Sequence, residues 1–277
     1  MNIINGKKLQ EEKLELFSKQ IQEINEKLKL VVIQVGNNES SNIYINNKKK
    51  LCAKVGVLFE HIKYDTIEEK ELITKIEELN NDSTVTGILV QLPLSNEIDE
   101  KKVIDSINPQ KDVDGLTTSN IGKLFSGDKG IVPCTALGIL NILKSINIDL
   151  EGANVVIVGR SRLVGLPLAG LLLRQNATVT VCHSKTQDLK EKTKQADILI
   201  VATGKKGLIT EDFVKENAVV IDVGINRVDE KIYGDCEFEE IKDKCKAITP
   251  VPGGVGPLTV TMLINNIIEA YHLQKNY

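Results

Sequence analysis

Short, continuous apolar segments alternate with longer helical patterns along this chain of 277 residues. Strands that are buried on both faces are apolar throughout, and they belong to parallel sheets covered by helices. The alternation therefore predicts an α/β fold. The predicted strands are residues 30–35, 57–63, 87–91, 155–158, 178–182, 198–202 and 219–223. The predicted helices are residues 7–26, 41–54, 67–80, 135–146, 166–174 and 187–195.

Two segments rich in Gly, Pro, Ser or Thr predict breaks in this pattern. Residues 115–130 are interpreted as a connection, and residues 248–257 as a loop. Pro257 suits the first turn of a last helix, which ends at about Leu273. The simplest arrangement is two α/β domains with a cleft between them. We expect residues 1–138 plus 258–277 in one domain and residues 139–257 in the other.

The composition argues against several classes of protein. Lys and Arg total 35 against 38 for Asp and Glu, so the net charge is -3. A nucleic-acid-binding chain needs a concentrated basic surface, and we expect no such partner. The cysteines are odd in number and form no C-x-x-C pair, which favours a reducing compartment and no metal site. The first residues do not resemble a targeting peptide, and no apolar run is long enough to span a membrane. The expected location is the cytoplasm.

The most distinctive local motif is the turn after the strand at residues 155–158. Gly159 follows the strand and a helix opens near Gly165, an arrangement that places helix N–H groups against a pyrophosphate. Ser161 stands where the usual G-x-G-x-x-G pattern has its second glycine. These glycines alone are equally compatible with a tight turn that binds no ligand.

The end of the next strand indicates which dinucleotide would bind. An NAD enzyme usually carries an acid there for the ribose 2′-hydroxyl, whereas this chain has His183, Ser184 and Lys185. Ser184 and Arg160 suit a 2′-phosphate, since Arg presents paired donors to its oxygens. We therefore predict NADP as the cofactor. Lys185 is interpreted as a solvated cation and His183 as structural.

Two later strand ends carry small residues to the same edge of the predicted sheet. Gly204 and Gly224 would let the backbone approach the cofactor there. Asp222 is interpreted as supporting its loop rather than as touching substrate.

A Tyr and a Lys in the first half of the chain form a candidate catalytic pair. Tyr44 and Lys48 are four positions apart and share one face of the predicted helix. An ammonium stabilises nearby negative charge, and a neutral amine accepts a proton. The alternative is a solvated charge run at residues 48–50. Short-chain dehydrogenases also contain Y-x-x-x-K, but downstream of their glycine motif rather than upstream.

Three further polar residues follow apolar segments. Gln91 ends the strand GILVQ and needs hydrogen-bond partners, from substrate or from backbone. Asp112 and Asp114 would project from one face of an extended segment and could bind amidine-like N–H groups. A turn stabilised by side-chain oxygens explains them equally well.

Eight motifs together resemble one family. YxxxK, VQLPL, KDVDG, PCT, GRS-x-x-VG-x-P, CHSKT, DVGIN and PGGVGP have the order and approximate spacing found in methylenetetrahydrofolate dehydrogenase/methenyltetrahydrofolate cyclohydrolase, over about residues 41–259. The resemblance implies hydride transfer from 5,10-methylenetetrahydrofolate to NADP, and opening of the methenyl product by water to 10-formyltetrahydrofolate. It also implies that the domain of residues 1–138 plus 258–277 binds folate and catalyses, and that residues 139–257 form a Rossmann-type NADP-binding domain. Rival interpretations are a different NADP dehydrogenase that shares only the second domain, and an NADP-binding regulator without turnover.

The resemblance also implies roles for individual residues. Lys48 would be the key cyclohydrolase residue, Tyr44 would pack beside the folate, and Gln91 would position Lys48 and tune its proton affinity. Asp114 would bind the pterin edge and Asp112 would support that loop. Further folate-site residues would be Leu92, Pro252, Gly253 and Gly256. The NADP site would contain Gly159, Arg160, Ser161, Ser184, Gly204, Gly224 and Ile225.

Two departures from the family pattern are apolar exchanges that concern packing. Ala136 follows PCT where Pro is usual, and Leu258 replaces Met in PGGVGPLT. Members of the family are commonly homodimers through the cofactor domain, so we expect a homodimer that acts on a small-molecule folate.

Overall fold

The computed structural model describes residues 2–229 and 231–275. The chain forms two compact units, which we call the six-stranded unit (Met1–Glu11, Thr135–Thr259) and the three-stranded unit (Glu12–Cys134, Val260–Tyr277). The strands are β1 Asn2–Ile3, β2 Lys29–Val35, β3 Leu58–Tyr64, β4 Gly87–Val90, β5 Asn154–Val158, β6 Thr178–Cys182, β7 Ile198–Val201, β8 Val219–Asp222, β9 Asn226–Val228, β10 Lys231–Tyr233 and β11 Ala247–Ile248. The α-helices are α1 Gly6–Ile24, α2 Glu39–Val55, α3 Glu69–Asn81, α4 Glu100–Asp105, α5 Thr118–Ser126, α6 Cys134–Ser145, α7 Gly165–Leu173, α8 Leu189–Thr193, α9 Phe238–Ile241 and α10 Val255–Lys275.

The six-stranded unit contains a parallel sheet in the order β1-β11-β8-β7-β5-β6. All residues of β7 and β8 are buried, and all of them are Ile, Leu or Val except Asp222, which ends β8. The strand order reverses direction at β5, which has β6 on one side and β7 on the other. Ligands of such sheets bind outside the carboxyl ends of the strands at this point. A short antiparallel hairpin, β9 with β10, belongs to the same unit.

The three-stranded unit contains a parallel sheet in the order β3-β2-β4. The centre strand β2 has five buried residues in its seven. Its core extends to α3, whose Leu72 and Ile76 are fully buried against Val31 and Ile33. The carboxyl ends of β2 and β4 thus lie in a fixed register, with Ile33 opposite Val90.

The predicted α/β class with parallel sheets is confirmed, and the predicted strands lie within one or two residues of the observed ones. The interpretation of residues 115–130 as a connection is wrong, because α5 lies within it. The Thr117 side chain caps α5 by accepting the Asn120 N–H, and Gly127 ends it in a left-handed conformation. Two of the Gly and Thr residues there, Thr117 and Gly127, are thus helix caps. The helix α4 and the hairpin were not predicted.

The first residues of the chain add β1 to the edge of the six-stranded sheet. Asn2 and Ile3 pair in parallel with Ala247 and Ile248. The predicted domains differ from the compact units here, since they group the first eleven residues with the three-stranded part. The compact units divide within α1 and within α10, so both helices contribute residues to both units.

Candidate active site

Lys48 and Gln91 are joined by a hydrogen bond within the three-stranded unit. Asn38 caps α2 by accepting the Ser41 N–H at 3.0 Å, and Tyr44 and Lys48 follow one turn apart. The Lys48 Nζ donates to Gln91 Oε1 at 2.9 Å. Lys48 is half-buried, whereas 38% of Tyr44 is exposed. The helix therefore presents the amine at the end of β4.

The Gln91 side chain has a fixed orientation. Its own N–H donates to the Ile33 carbonyl at 2.8 Å, which continues the β2–β4 pairing by one residue. The Nε2 donates to the Leu92 carbonyl at 2.9 Å, so Oε1 is the atom turned toward Lys48. One end of the Gln91 amide thus meets backbone and the other meets the Lys48 amine, and contact with substrate stays a prediction.

The surroundings of Lys48 favour its neutral form. Burial lowers the pKa of Lys48 below its ordinary value, and the nearby Asp114 carboxylate partly opposes this decrease. Two thiols also lie close to the amine. Burial raises the pKa of Cys52 to about 12 and the pKa of Cys134 well above its usual range, so both stay protonated near neutral pH. Asp114 is the anion that faces the amine.

The two acids of KDVDG have different surroundings. Asp112 is buried and its carboxylate accepts the N–H groups of Gly115 at 3.0 Å and Thr117 at 2.8 Å. It also accepts from Asn120 Nδ2 at 3.0 Å. Burial raises the pKa of Asp112. Asp114 is half-buried near Lys48. The structure thus places Asp112 inside the turn and Asp114 beside the amine.

Asn266 is a buried residue of this site that sequence reasoning missed. It lies on α10 and donates from Nδ2 to the carbonyls of Val113 at 2.9 Å and Val132 at 2.8 Å. Its amide also lies 3.4 Å from the Cys134 sulfur. These bonds hold the segment that carries Asp114. A signal was present, since Asn265 and Asn266 interrupt an otherwise apolar stretch of the last helix.

The turn after β5 fits glycine alone at two positions. Gly159 has φ 129°, and a Cβ there would lie 2.2 Å from the Ala202 carbonyl oxygen. A Cβ on Gly165 would lie 2.0 Å from the Gly159 oxygen. The first turn of α7 therefore packs directly on the strand end. In this turn the Leu166 N–H donates to the Ser161 carbonyl at 3.1 Å and Pro167 has no N–H, so Gly165 is the residue whose backbone N–H suits an anionic ligand.

A cavity of about 380 Å³ lies at this switch point, outside the carboxyl ends of β5, β6 and β7. Its lining contains four of the predicted cofactor residues, Gly159, Arg160, Ser161 and Ser184. No carboxylate is found among the described residues that line it. A guanidinium and a hydroxyl without an opposing acid fit a phosphorylated ribose.

His183 and Lys185 also lie at the end of β6. The His183 N–H donates to Thr186 Oγ1 at 2.8 Å, and the Lys185 N–H contacts His183 Nδ1 at 3.2 Å. These bonds occupy His183 within its own loop, and Lys185 is exposed.

The remaining predicted cofactor residues do not line the cavity. Gly204 lies on the loop after β7, and Gly224 and Ile225 lie on the loop after β8. Ile225 is 52% exposed. The Asp222 carboxylate accepts the Gly224 N–H at 2.9 Å, so it supports this loop.

The predicted folate residues belong to both units. Tyr44, Lys48, Gln91, Leu92, Asp112 and Asp114 belong to the three-stranded unit. Pro252, Gly253 and Gly256 belong to the six-stranded unit, where the Gly253 carbonyl accepts the Gly6 N–H at 2.9 Å.

The described residues contain neither a metal-ligating cluster nor a membrane-spanning helix. In the part of the chain that the structure describes, no group of three or more His, Cys, Asp or Glu side chains could hold a metal ion. Across residues 2–229 and 231–275, no helix has the length and apolar character needed to cross a membrane.

Comparison with known proteins agrees with the two sites. The family model "Tetrahydrofolate dehydrogenase/cyclohydrolase, catalytic domain" matches residues 4–114, and the "NAD(P)-binding domain" of the same family matches residues 133–275. The bifunctional protein FolD of Staphylococcus haemolyticus is 49% identical, over 99% of this chain and 98% of its own.

Solved structures give the same result. The bifunctional dehydrogenase/cyclohydrolase FolD of Campylobacter jejuni is 43% identical, with a TM-score of 0.95 and 99% of both chains covered. The Trypanosoma brucei enzyme, solved with NADP cofactor and inhibitor, is 31% identical, with a TM-score of 0.95 over 99% of this chain and 98% of that one. The predicted resemblance is confirmed, and the chain belongs to the tetrahydrofolate dehydrogenase/cyclohydrolase family.

Proposed function

We propose that this chain oxidises 5,10-methylenetetrahydrofolate with NADP+ and hydrolyses the resulting 5,10-methenyltetrahydrofolate to 10-formyltetrahydrofolate. Family membership supports both activities. The observation that carries the second activity is the half-buried Lys48 amine, fixed at 2.9 Å from Gln91 Oε1 and with a lowered pKa. A solvated lysine would have neither property.

In the hydrolytic step, Lys48 acts as the proton acceptor. The oxygen of water bonds to the cationic one-carbon unit, and the bond from that carbon to N5 breaks. N5 keeps one proton of the water, and the other is released to Lys48 Nζ. A lowered pKa makes the neutral amine available for this role. The Gln91 oxygen and the Asp114 carboxylate then stabilise the ammonium that forms.

Asp114 and Tyr44 would bind the folate. Asp114 lies half-buried beside the amine, and its carboxylate accepts N–H donors of the kind that a pterin edge presents. Tyr44 is exposed one turn before Lys48 and offers a ring for stacking. Asp112 keeps the intervening turn in shape through its three hydrogen bonds.

The six-stranded unit would hold NADP+. Arg160 and Ser184 line the cavity and suit the 2′-phosphate, and the Gly159 turn with the start of α7 suits the pyrophosphate. Bound NADP+ supplies the hydride acceptor. The protein's task in that step is mainly to align two rings.

Replacing Lys48 separates the two activities. In Lys48→Met, we expect cyclohydrolase activity to fall by about 100-fold or more, because the proton acceptor is removed. Dehydrogenase activity should be largely retained, so the methenyl product, followed by its absorbance, accumulates instead of decaying. Lys49→Met is the matched control, since Lys49 is exposed on the same helix. Equal survival or equal loss of both activities in Lys48→Met would contradict the assignment.

We also propose that the chain forms a homodimer through its six-stranded unit. Among the described residues, β6 pairs with β5 alone, so its other edge is available. On the adjoining helix α7, Leu166 is 41% exposed and Leu173 is 52% exposed. These leucines are seven positions apart and share a helix face. An edge strand beside exposed leucines is typical of a protein interface.

A further inference from the structure

Two buried carboxylates accept hydrogen bonds from the loops that follow β7 and β8. Asp235 accepts from the first loop and Asp222 from the second. Asp235 is fully buried and follows the β9–β10 hairpin. Its Oδ2 accepts the N–H groups of Thr203 at 2.6 Å and Gly204 at 3.0 Å, and the Thr203 hydroxyl at 2.9 Å. Its Oδ1 accepts Asn226 Nδ2 at 2.8 Å. One carboxylate therefore ties the loop after β7 to the first residue of β9.

Asp222 holds Asp235 in place. Asp222 ends β8, and its Oδ1 accepts the N–H groups of Asp235 at 3.0 Å and Gly224 at 2.9 Å. Its Oδ2 accepts the Cys236 N–H at 2.9 Å. The packing is close, because a Cβ on Gly224 would lie 2.3 Å from Asp235 Oδ1. The segment carrying Asp235 is thus fastened to the end of β8.

We propose that Asp235, held by Asp222, is a positioning residue for NADP+ binding. This proposal rests on the proposed function. Thr203 lines the cavity at the switch point, and Gly204 follows it immediately. A loop that is already ordered binds a ligand without the cost of ordering it at that moment. Asp235 therefore acts through the loops rather than by touching the cofactor.

The chemistry of the site requires a carboxylate at position 235. Four donors converge on its two oxygens, and each bond to an ionised acceptor is stronger than a neutral one. An asparagine there would keep one acceptor oxygen and turn an NH2 group toward either the Asn226 amide or the Thr203 N–H. Two donors would then face each other, and either the loop after β7 or the start of β9 would lose its bond to residue 235.

The test is NADP+ binding by Asp235→Asn. We expect the Kd for NADP+ to rise about 10- to 100-fold, in line with the loss of a charge-assisted hydrogen bond. Cyclohydrolase activity on added methenyltetrahydrofolate should stay within about twofold of the parent, since Lys48 and Gln91 belong to the other unit. Titration calorimetry measures the first quantity, and methenyl absorbance measures the second.

Asp197→Asn is the matched control. Asp197 makes the same kind of contact, accepting the Asn154 N–H at 2.9 Å, but at the start of β5 and β7. We expect it to leave the Kd unchanged. A purely structural role for Asp235 would lower the thermal midpoint and both activities together, without changing the Kd of the folded fraction.

A milder variant decides the question if Asp235→Asn folds poorly. Asn226→Ala removes one donor to Asp235 and lies outside the cavity lining. A Kd raised about threefold or more supports the proposal, and an unchanged Kd in either folded variant overturns it. Failure of the proposed function would be visible separately, as a parent protein that binds no NADP+.

Discussion

Lys48 differs from the two lysines that follow it. Successive residues of a helix point in directions about 100° apart, so a run of three lysines does not form one surface. Lys49 and Lys50 are exposed, whereas Lys48 shares its face with the buried Ile45 and Cys52. The helix thus places a single member of the run against the end of β4. Its lowered pKa follows from that placement.

The pH dependence of the cyclohydrolase should move when Gln91 acquires a charge. In Gln91→Glu, a carboxylate would stand about where Oε1 now lies, 2.9 Å from Lys48 Nζ. An opposite charge favours the ammonium, so the lowered pKa of Lys48 should rise. Activity that needs the neutral amine increases as pH rises through that pKa. The rising limb of the pH–rate profile should therefore move to higher pH, by about one to three units.

Dehydrogenase activity, followed in the same variant, provides the comparison. Its pH profile should stay where it is in the parent, because hydride transfer needs no neutral lysine. A cyclohydrolase profile that does not move, or that moves to lower pH, would contradict the role of Lys48 as proton acceptor.

At the scale of elements, the β5–α7 turn depends on two glycines. In Gly159→Ala, the new Cβ would lie 2.2 Å from the Ala202 oxygen, at φ 129°. We expect the six-stranded unit to lose roughly 2–6 kcal/mol, from the backbone conformation and the overlap together. NADP+ binding should weaken in parallel. Thermal unfolding with and without NADP+ measures both effects.

Gly152→Ala measures the cost of a positive φ without steric overlap. Gly152 precedes β5 and also has a positive φ, 72°, but a Cβ there meets nothing within 4 Å. We expect a loss of about 1–2 kcal/mol with unchanged NADP+ affinity. Equal effects of the two substitutions would show that the contact with Ala202 is unimportant.

Elements with many buried apolar residues could be predicted from the sequence, whereas short or mostly exposed elements could not. The strands β5, β7 and β8 consist mostly of buried Val, Ile and Leu, and an apolar run of this length between turn signals predicts a strand. The helix α5 was missed because only Asn120 and Leu124 of its nine residues are buried, so its apolar signal is short. The edge strand β1 and its neighbour β11 contain two residues each, and their pairing depends on tertiary contacts.

Site residues that lie close together along the chain could be predicted from the sequence. Tyr44 with Lys48, and Gly159 with Arg160, are close along the chain and could be recognised as groups. Asn266 contacts residue 113, which is 153 positions away, and no periodicity connects the two. Asp235 likewise reaches Thr203 across 32 positions. Contacts of this kind are set by how the elements pack, and a single sequence does not contain that information.

At the scale of the whole molecule, the proposed homodimer predicts a change in mass. In Leu173→Glu, a charge would be placed on the exposed face of α7, and burying it in an interface is costly. We expect sedimentation equilibrium to show a monomer for this variant and a dimer for the parent. Leu16→Glu is the matched control, because Leu16 is 48% exposed on α1 in the other unit. A parent that sediments as a monomer, or a variant that stays dimeric, would contradict the proposed interface.

The position of β1 at the edge of the six-stranded sheet has a consequence for synthesis of the chain. Asn2 and Ile3 are translated more than 240 residues before their partners Ala247 and Ile248. At bacterial and eukaryotic translation rates this interval lasts roughly 10–50 s. The strands β5 to β8 are available before then, so the growing polypeptide can assemble the middle of the sheet first. The β1 segment therefore waits until β11 has been translated before it can take its place in the sheet.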